Sequence, residues 1–332
     1  MTTPRTLGAV GALATVLVLA VAACGGDDSG DSSGGTSGAG LSGRIQADGS
    51  STVGPFTTRA AEDFQRDNSG VQVTVGISGT GGGFERFCAG ETDISDASRP
   101  IKDEERQACE AKGIEYVEFQ VANDALTVVV NKENDWATCL TVDQLKAIWE
   151  PGSKVGNWSQ VPDAGFPDQQ MKLFGPGTDS GTFDYFTDEI NGEEGASRTD
   201  YAPSEDDNII VQGVAGEKGG LGYFGFSYFE ENQGTLNAVE IDGGDGCVAP
   251  SATAAQDGSY KPLSRPLFVY VKKDSFAKPE VEAFVGFMLD NAATIAEETQ
   301  YVAMTQAQID EAKSAYDAAV AEVGAGTTGT TG

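Results

Sequence analysis

"YVEFQVANDALTVVV", residues 116–130, carries two patterns in one run. Its first part, 116–124, alternates apolar and polar side chains, as a strand with one buried face does. Its second part, 125–130, is continuously apolar, the mark of a strand buried on both faces. "LFVYV", residues 267–271, is a second run of the buried kind. The two bracket the middle of the chain. That spacing fits a chain that leaves one lobe, builds a second and returns. The expected lobes are about 41–124 with 268–323, and about 125–267, with a site between them.

Other segments supply the helices and strands around this frame. "VQVTVGI" (71–77) alternates as a strand. Thr141 can cap "VDQLKAIWE", in which Leu145, Ile148 and Trp149 share a face. Pro279 suits the first position of a helix whose stripe is Val281, Phe284, Val285, Met288, Leu289 and Ala292. Thr305 can cap "QAQIDEAKSAYDAAVAEV". Strands alternating with helices predict an α/β architecture. The chain shows no internal sequence repeat.

The ends read differently. Arg5, the apolar run Leu7–Ala23 and the close Val21-Ala22-Ala23-Cys24 match a bacterial lipoprotein signal over 1–24. Cys24 is then the lipidated residue, with palmitate among its acyl chains, and the protein is anchored to the extracytoplasmic face of the cell membrane. Residues 25–40, rich in Gly, Ser and Asp, form a flexible linker. Residues 324–332, rich in Gly and Thr, are expected to be an unstructured tail, so the folded domain is 41–323. Four cysteines remain in an exported chain, which favours disulfides. Three pairings exist. Cys88–Cys109 closes a local loop and Cys139–Cys247 clips distant segments, and these are the favoured pairs.

Composition narrows the function. The chain has 51 acidic and 21 basic residues, no histidine, and a formal charge of -30. Nucleic acid and anionic surfaces are disfavoured partners. A Ser-His-Asp triad cannot be built without histidine. No CxxC spacing supports zinc, and "DGGDG" (242–246) reads as an exposed turn, so no metal and no cofactor are expected.

Three loops share one construction. "DGSSTVGPF" (48–56), "ISGTGGGFERF" (77–87) and "GTDSGTFDYF" (177–186) each place Ser or Thr beside Gly just before a helical pattern. The first N–H groups of a helix lack internal partners, and its dipole puts partial positive charge there. Glycine allows close approach and the hydroxyls add donors, which suits an anion. None of the three fits a nucleotide P-loop.

"DGSSTVGP", "GISGTGGGFERFCAGETDISDASRPI", "LTVDQLKAIWEPGSKVGNW" and "FGPGTDSGTFDYF" together resemble the substrate-binding protein of the phosphate-specific (Pst) ABC transporter, over about 45–305. The resemblance implies a two-lobed type II periplasmic-binding fold with a ligand cleft. It implies capture of inorganic phosphate and delivery to ABC-transporter permease subunits by a monomer that is not an enzyme. Carried over by motif, Thr52, Val53, Thr80, Gly81, Ser180, Gly181 and Thr182 are its neutral donors. Pro176 stands where members have an arginine, and Ser98 where they have an aspartate unless a gap moves Asp96 there. Arg99 is then the candidate guanidinium, and Asp179 its partner or the acceptor of the ligand's proton. Another oxyanion, sulfate or molybdate, is the alternative ligand; an extracellular phosphatase is the alternative class, without a nucleophile and base to support it.

Overall fold

The computed structural model describes residues 40–328. The signal, its lipidation at Cys24 and the linker through residue 39 lie outside the described residues.

The chain runs β1 (Ser42–Gly49), α1 (Gly54–Asp67), β2 (Gly70–Ile77), α2 (Gly79–Cys88), β3 (Ile94–Ala97), α3 (Asp103–Ala111) and β4 (Tyr116–Asn131). It continues through β5 (Cys139–Thr141), α4 (Val142–Trp149), β6 (Lys172–Pro176), α5 (Gly181–Phe186), β7 (Ala202–Ser204), α6 (Asp207–Gly216) and β8 (Gly220–Gly225). It closes with α7 (Phe226–Asn232), β9 (Leu236–Ala238), β10 (Glu240–Asp242), β11 (Cys247–Val248), α8 (Ala252–Gln256), β12 (Ser264–Lys272), α9 (Pro279–Asp290), α10 (Ala292–Glu298) and α11 (Gln306–Thr328).

The main sheet has the order β2-β1-β3-β12-β4-β8-β6-β7, with β9 also on β4. Strand β4 is a single 16-residue strand, where two consecutive runs were read from the sequence. From Tyr116 to Ala125 it pairs antiparallel with β12. From Leu126 to Val130 it pairs with β8. The change from alternating to continuous apolar residues marks the point where the strand passes from one half of the molecule to the other.

Two cores lie on either side of that point. One packs Ile45, Phe56, Phe64, Ile94 and Phe119 against Leu267, Val269, Phe284 and Met288. The other packs Leu126, Val128, Leu145, Trp149, Trp158, Phe186, Tyr223 and Leu263. The first is therefore built from both ends of the chain and the second from its middle. The expected helix starts hold. Thr141 accepts a hydrogen bond from the Gln144 N–H at 3.1 Å. Pro279 occupies the first turn of α9. Thr305 accepts from the Gln308 N–H at 3.3 Å.

Both favoured disulfides are present. Cys88–Cys109 ties α2 to α3. Cys139–Cys247 joins the outer strands of a small sheet ordered β11-β10-β5. The C-terminal reading needs correction: α11 continues to Thr328, five residues into the stretch expected to be unstructured. Helix α11 starts from a capped turn and is anchored on the first core by Ala312 and Ala319, so the Gly-containing end propagates from an established helix.

Candidate functional site

Strands β1, β2 and β3 run antiparallel to β6 in the main sheet, so their carboxyl ends, where the donor-rich loops begin, face one another from the two halves. Ligand sites in α/β sheets form at these carboxyl ends. Residues from all three loops line one cavity of about 140 Å³.

The first loop leaves β1 at Gly49, which has φ +150° and lies so close to β3 that a Cβ would sit 2.1 Å from the Asp96 carbonyl oxygen. Only glycine fits. Ser50 then accepts hydrogen bonds through Oγ from the Thr52 N–H at 3.2 Å and the Val53 N–H at 3.4 Å. Its hydroxyl hydrogen stays free to donate. The Thr52 carbonyl accepts a hydrogen bond from the Tyr301 hydroxyl.

The second loop opens α2. Thr80 Oγ1 accepts from the Ser98 N–H at 3.3 Å, and the two hydroxyl oxygens lie 3.1 Å apart. This fastens α2 to the residues that follow β3. The third loop leaves β6, and Ser180 Oγ accepts from the Thr182 N–H at 3.2 Å. The aromatics of "GTFDYF" explain why α5 stays in place: Phe186 stacks on Tyr223 with centroids 3.8 Å apart, and Trp149 packs edge-on against both. Gly181 brings loops one and three together; a Cβ there would lie 3.1 Å from Thr52 Oγ1.

Of the ten residues named from the sequence, Thr52, Thr80, Ser98, Arg99 and Gly181 line the cavity. Val53, Gly81, Ser180 and Thr182 are their immediate neighbours in the same loops. Asp179 differs: it is exposed, and the cavity wall omits it. The turn after Gly177 directs the loop so that Gly181 faces inward and Asp179 outward. Arg99 differs in its partner. Its guanidinium is held by Glu105 through two hydrogen bonds of 2.9 and 2.7 Å, not by Asp179. Burial, the largest single effect, raises the Glu105 pKa, but the Arg99 hydrogen bonds, the Lys102 N–H and the charges of Arg99 and Lys102 together outweigh it and hold the carboxyl below its ordinary value. Asp96 is fully buried behind the first loop, where Oδ1 accepts from the Thr57 hydroxyl at 2.8 Å.

Sequence reading missed Arg265. It lines the cavity, donates to Thr52 Oγ1 at 2.9 Å, faces Asp124 Oδ2 at 3.3 Å and lies over the Tyr185 ring at 3.6 Å. A signal existed: Ser264-Arg265-Pro266 repeats Ser98-Arg99-Pro100, and both arginines reach this cavity. Also missed were Asp184, Asp188, Glu189 and Glu194, which put four carboxylates on the wall from the α5 side. Burial raises the Asp184 pKa, Glu194 adds to the rise and Arg265 opposes it. Burial likewise raises Glu189, with Asp188 adding and Arg265 opposing.

Small polar cavities walled by helix starts, between halves joined by crossing strands, define the two-lobed solute-binding proteins. Residues 34–292 match the model of the PBP superfamily domain. Protein SphX of Synechococcus elongatus is 49% identical over 260 residues, 78% of this chain and 77% of that one. The phosphate-binding protein PstS of Staphylococcus saprophyticus is 39% identical over 303 residues, 90% of each chain. The crystal structure of a possible phosphate binding protein from Planctomyces limnophilus is 47% identical, with a TM-score of 0.82 over 84% of this chain and 99% of that one. The chain belongs to the PBP superfamily and, within it, to the PstS family.

Proposed function

We propose that the protein captures inorganic phosphate outside the cytoplasm and hands it to the permease of an ABC transporter. One observation carries the reading: loops from both halves converge, through hydroxyls and helix starts, on a cavity with two arginines, Arg99 and Arg265, in its wall. Relatives named phosphate-binding protein PstS support it. Thr52, Thr80, Ser98 and Gly181, with Val53, Gly81, Ser180 and Thr182 beside them, are the neutral donors of the site. The acidic surface is felt weakly there, because salt screens exposed charges beyond about 8–10 Å. Lipidation at Cys24 would hold the protein at the membrane beside its permease.

The carboxylates favour phosphate over other oxyanions. Phosphate near neutral pH keeps a proton, and sulfate has none. Asp184, half-buried on the cavity wall, can accept a hydrogen bond from that proton. Sulfate would meet a carboxylate with nothing between them, and an unpaired desolvated acceptor is how such sites reject a near-isostere. Asp184 thus takes the role expected of Asp179.

Calorimetry with phosphate, sulfate and molybdate tests the reading. The best small ligands gain about 1.5 kcal/mol per heavy atom, so five atoms give about -7.5 kcal/mol, near a micromolar constant. Phosphate is expected at that level or tighter. A millimolar phosphate constant, or tighter binding of sulfate, would overturn the proposal.

A further inference from the structure

Arg265 stands where neither half owns it. Its backbone lies in β12 directly opposite Asp124 of β4, in the stretch where both strands pass between the two cores. From there the side chain touches three parts of the molecule. Nη2 donates to Thr52 of the first loop at 2.9 Å. Nε and Nη2 each lie 3.3 Å from Asp124 Oδ2. The guanidinium covers the Tyr185 ring of α5 in the other half. Tyr185 is itself fixed, since its hydroxyl donates to the Pro262 carbonyl at 2.6 Å.

Two further observations point to a ligand. A guanidinium has five N–H donors, and Nη1 has no hydrogen-bond partner among the described residues. Arg265, Tyr185 and Glu189 also form the wall shared by the inner cavity and an outer one of about 770 Å³, which Lys261 helps to line. The side chain is 18% exposed, so its interactions act where water screens them little.

We propose that Arg265 makes closure of the cleft depend on a bound anion. A ligand shifts a conformational equilibrium only by its differential affinity for the two states. Arg265 supplies that difference. Its unused donors reach an anion held by the first loop, and the same guanidinium keeps a flat face for Tyr185. The anion restrains the guanidinium against Asp124 and Thr52, and the restrained face then receives α5. With no anion the Nη1 donors are unspent, and the carboxylates Asp184, Asp188, Glu189 and Glu194 compete for the side chain. The inference rests on the phosphate reading and adds which residue converts capture into closure.

The test uses inorganic phosphate on wild type, on Arg265→Lys and on the double variant Arg265→Gln/Asp124→Asn. The double variant removes both charges together, so neither is left buried alone. Calorimetry gives affinity, and small-angle scattering with and without saturating phosphate gives compaction. Wild type is expected to bind and to become more compact. The double variant should bind at least about a hundredfold more weakly and show no compaction at saturation. Arg265→Lys should retain affinity within about thirtyfold yet lose most of the compaction, because an ammonium cannot stack flat and bridge two partners at once. Full compaction in the lysine variant overturns the coupling role, even if the double variant does not fold. Wild-type affinity in a folded double variant overturns the ligand role. A wild type that ignores phosphate sinks the functional reading together with this one, whereas binding and compaction in all three proteins sink this one alone.

Discussion

Asp96→Asn should stabilise the protein at neutral pH and leave ligand choice unchanged. Asp96 is 0% exposed, and its Oδ2 has no hydrogen-bond partner among the described residues. Burial pushes its pKa up, the Thr57 hydrogen bond opposes, the Asp48 charge adds, and the carboxyl ends at about 7. In the unfolded chain it titrates near 3.9. Between these values the folded state binds the extra proton. The stability this contributes is present below about pH 4 and is lost as pH rises through 7. A shift of about three units at about 1.4 kcal/mol each amounts to about 4 kcal/mol. Asparagine keeps the acceptor for Thr57 and never ionises. Urea unfolding at pH 5, 6, 7 and 8 should show the variant about 2–4 kcal/mol more stable at pH 8. The difference should shrink steadily toward pH 5. Parallel curves for the two proteins across this range would show that Asp96 does not ionise late, and the reasoning would fail. A changed phosphate-to-sulfate ratio in the variant would place Asp96 at the ligand after all.

Ser180→Ala and Thr182→Val should each weaken phosphate binding by about 1–3 kcal/mol, because each strips a donor from the third loop; unchanged calorimetric constants in both would move the site. Asp184→Asn should narrow the preference for phosphate over sulfate while Asp179→Asn changes neither constant, and the reverse pattern would return the proton-accepting role to Asp179. Gly181→Ala should cost about 1–2 kcal/mol of phosphate affinity, since its methyl would press on Thr52 across the cleft; tight binding by a folded variant would show that the loops need not approach so closely. Replacing the Cys139–Cys247 pair by serines should cost up to about 5 kcal/mol of stability against about 3 for Cys88–Cys109, because they close loops of 108 and 21 residues. Equal losses by urea unfolding would count against the loop-length account.

The frame was legible wherever one local rule decided it. The switch from alternation to continuous apolar residues at 124–125 located the crossing strand, and the caps at Thr141 and Thr305 and the proline at 279 fixed helix starts. Loop composition was the clue that placed residues of three separate loops on one cavity wall, since Ser, Thr and Gly before a helix start leave its first N–H groups open. What the sequence did not reveal depended on side-chain direction or on distant partners. Asp179 sits among cavity residues in sequence but points outward, and no periodicity governs a turn. Arg99 is captured by Glu105, whose carboxylate also receives the Lys102 N–H at the start of α3, a local device whose competition for Arg99 the motif did not reveal. Arg265 meets Thr52 across 213 residues of sequence, so only the repeated Ser-Arg-Pro could have hinted at it. Asp184 follows Ser180 by four residues, one helical turn, and that spacing was the available clue.

The first core has a consequence for how the chain must fold. Its amino-terminal members end near Ala122, and the strand and helices that cover them begin at Leu267. The second core draws on Leu126 through Leu263, an unbroken stretch. The middle of the chain can therefore collapse on its own, while the leading segment waits for the trailing one. During that wait Ile45, Phe56 and Phe64 lack the core partners that follow Leu267, such as Phe284 against Phe64, and exposed apolar surface of this kind is what aggregates. Closing so large a loop also delays the last pairing, β3 and β4 with β12. Loss of the chain from Leu267 onward would thus damage the part made first and spare the part beside the break.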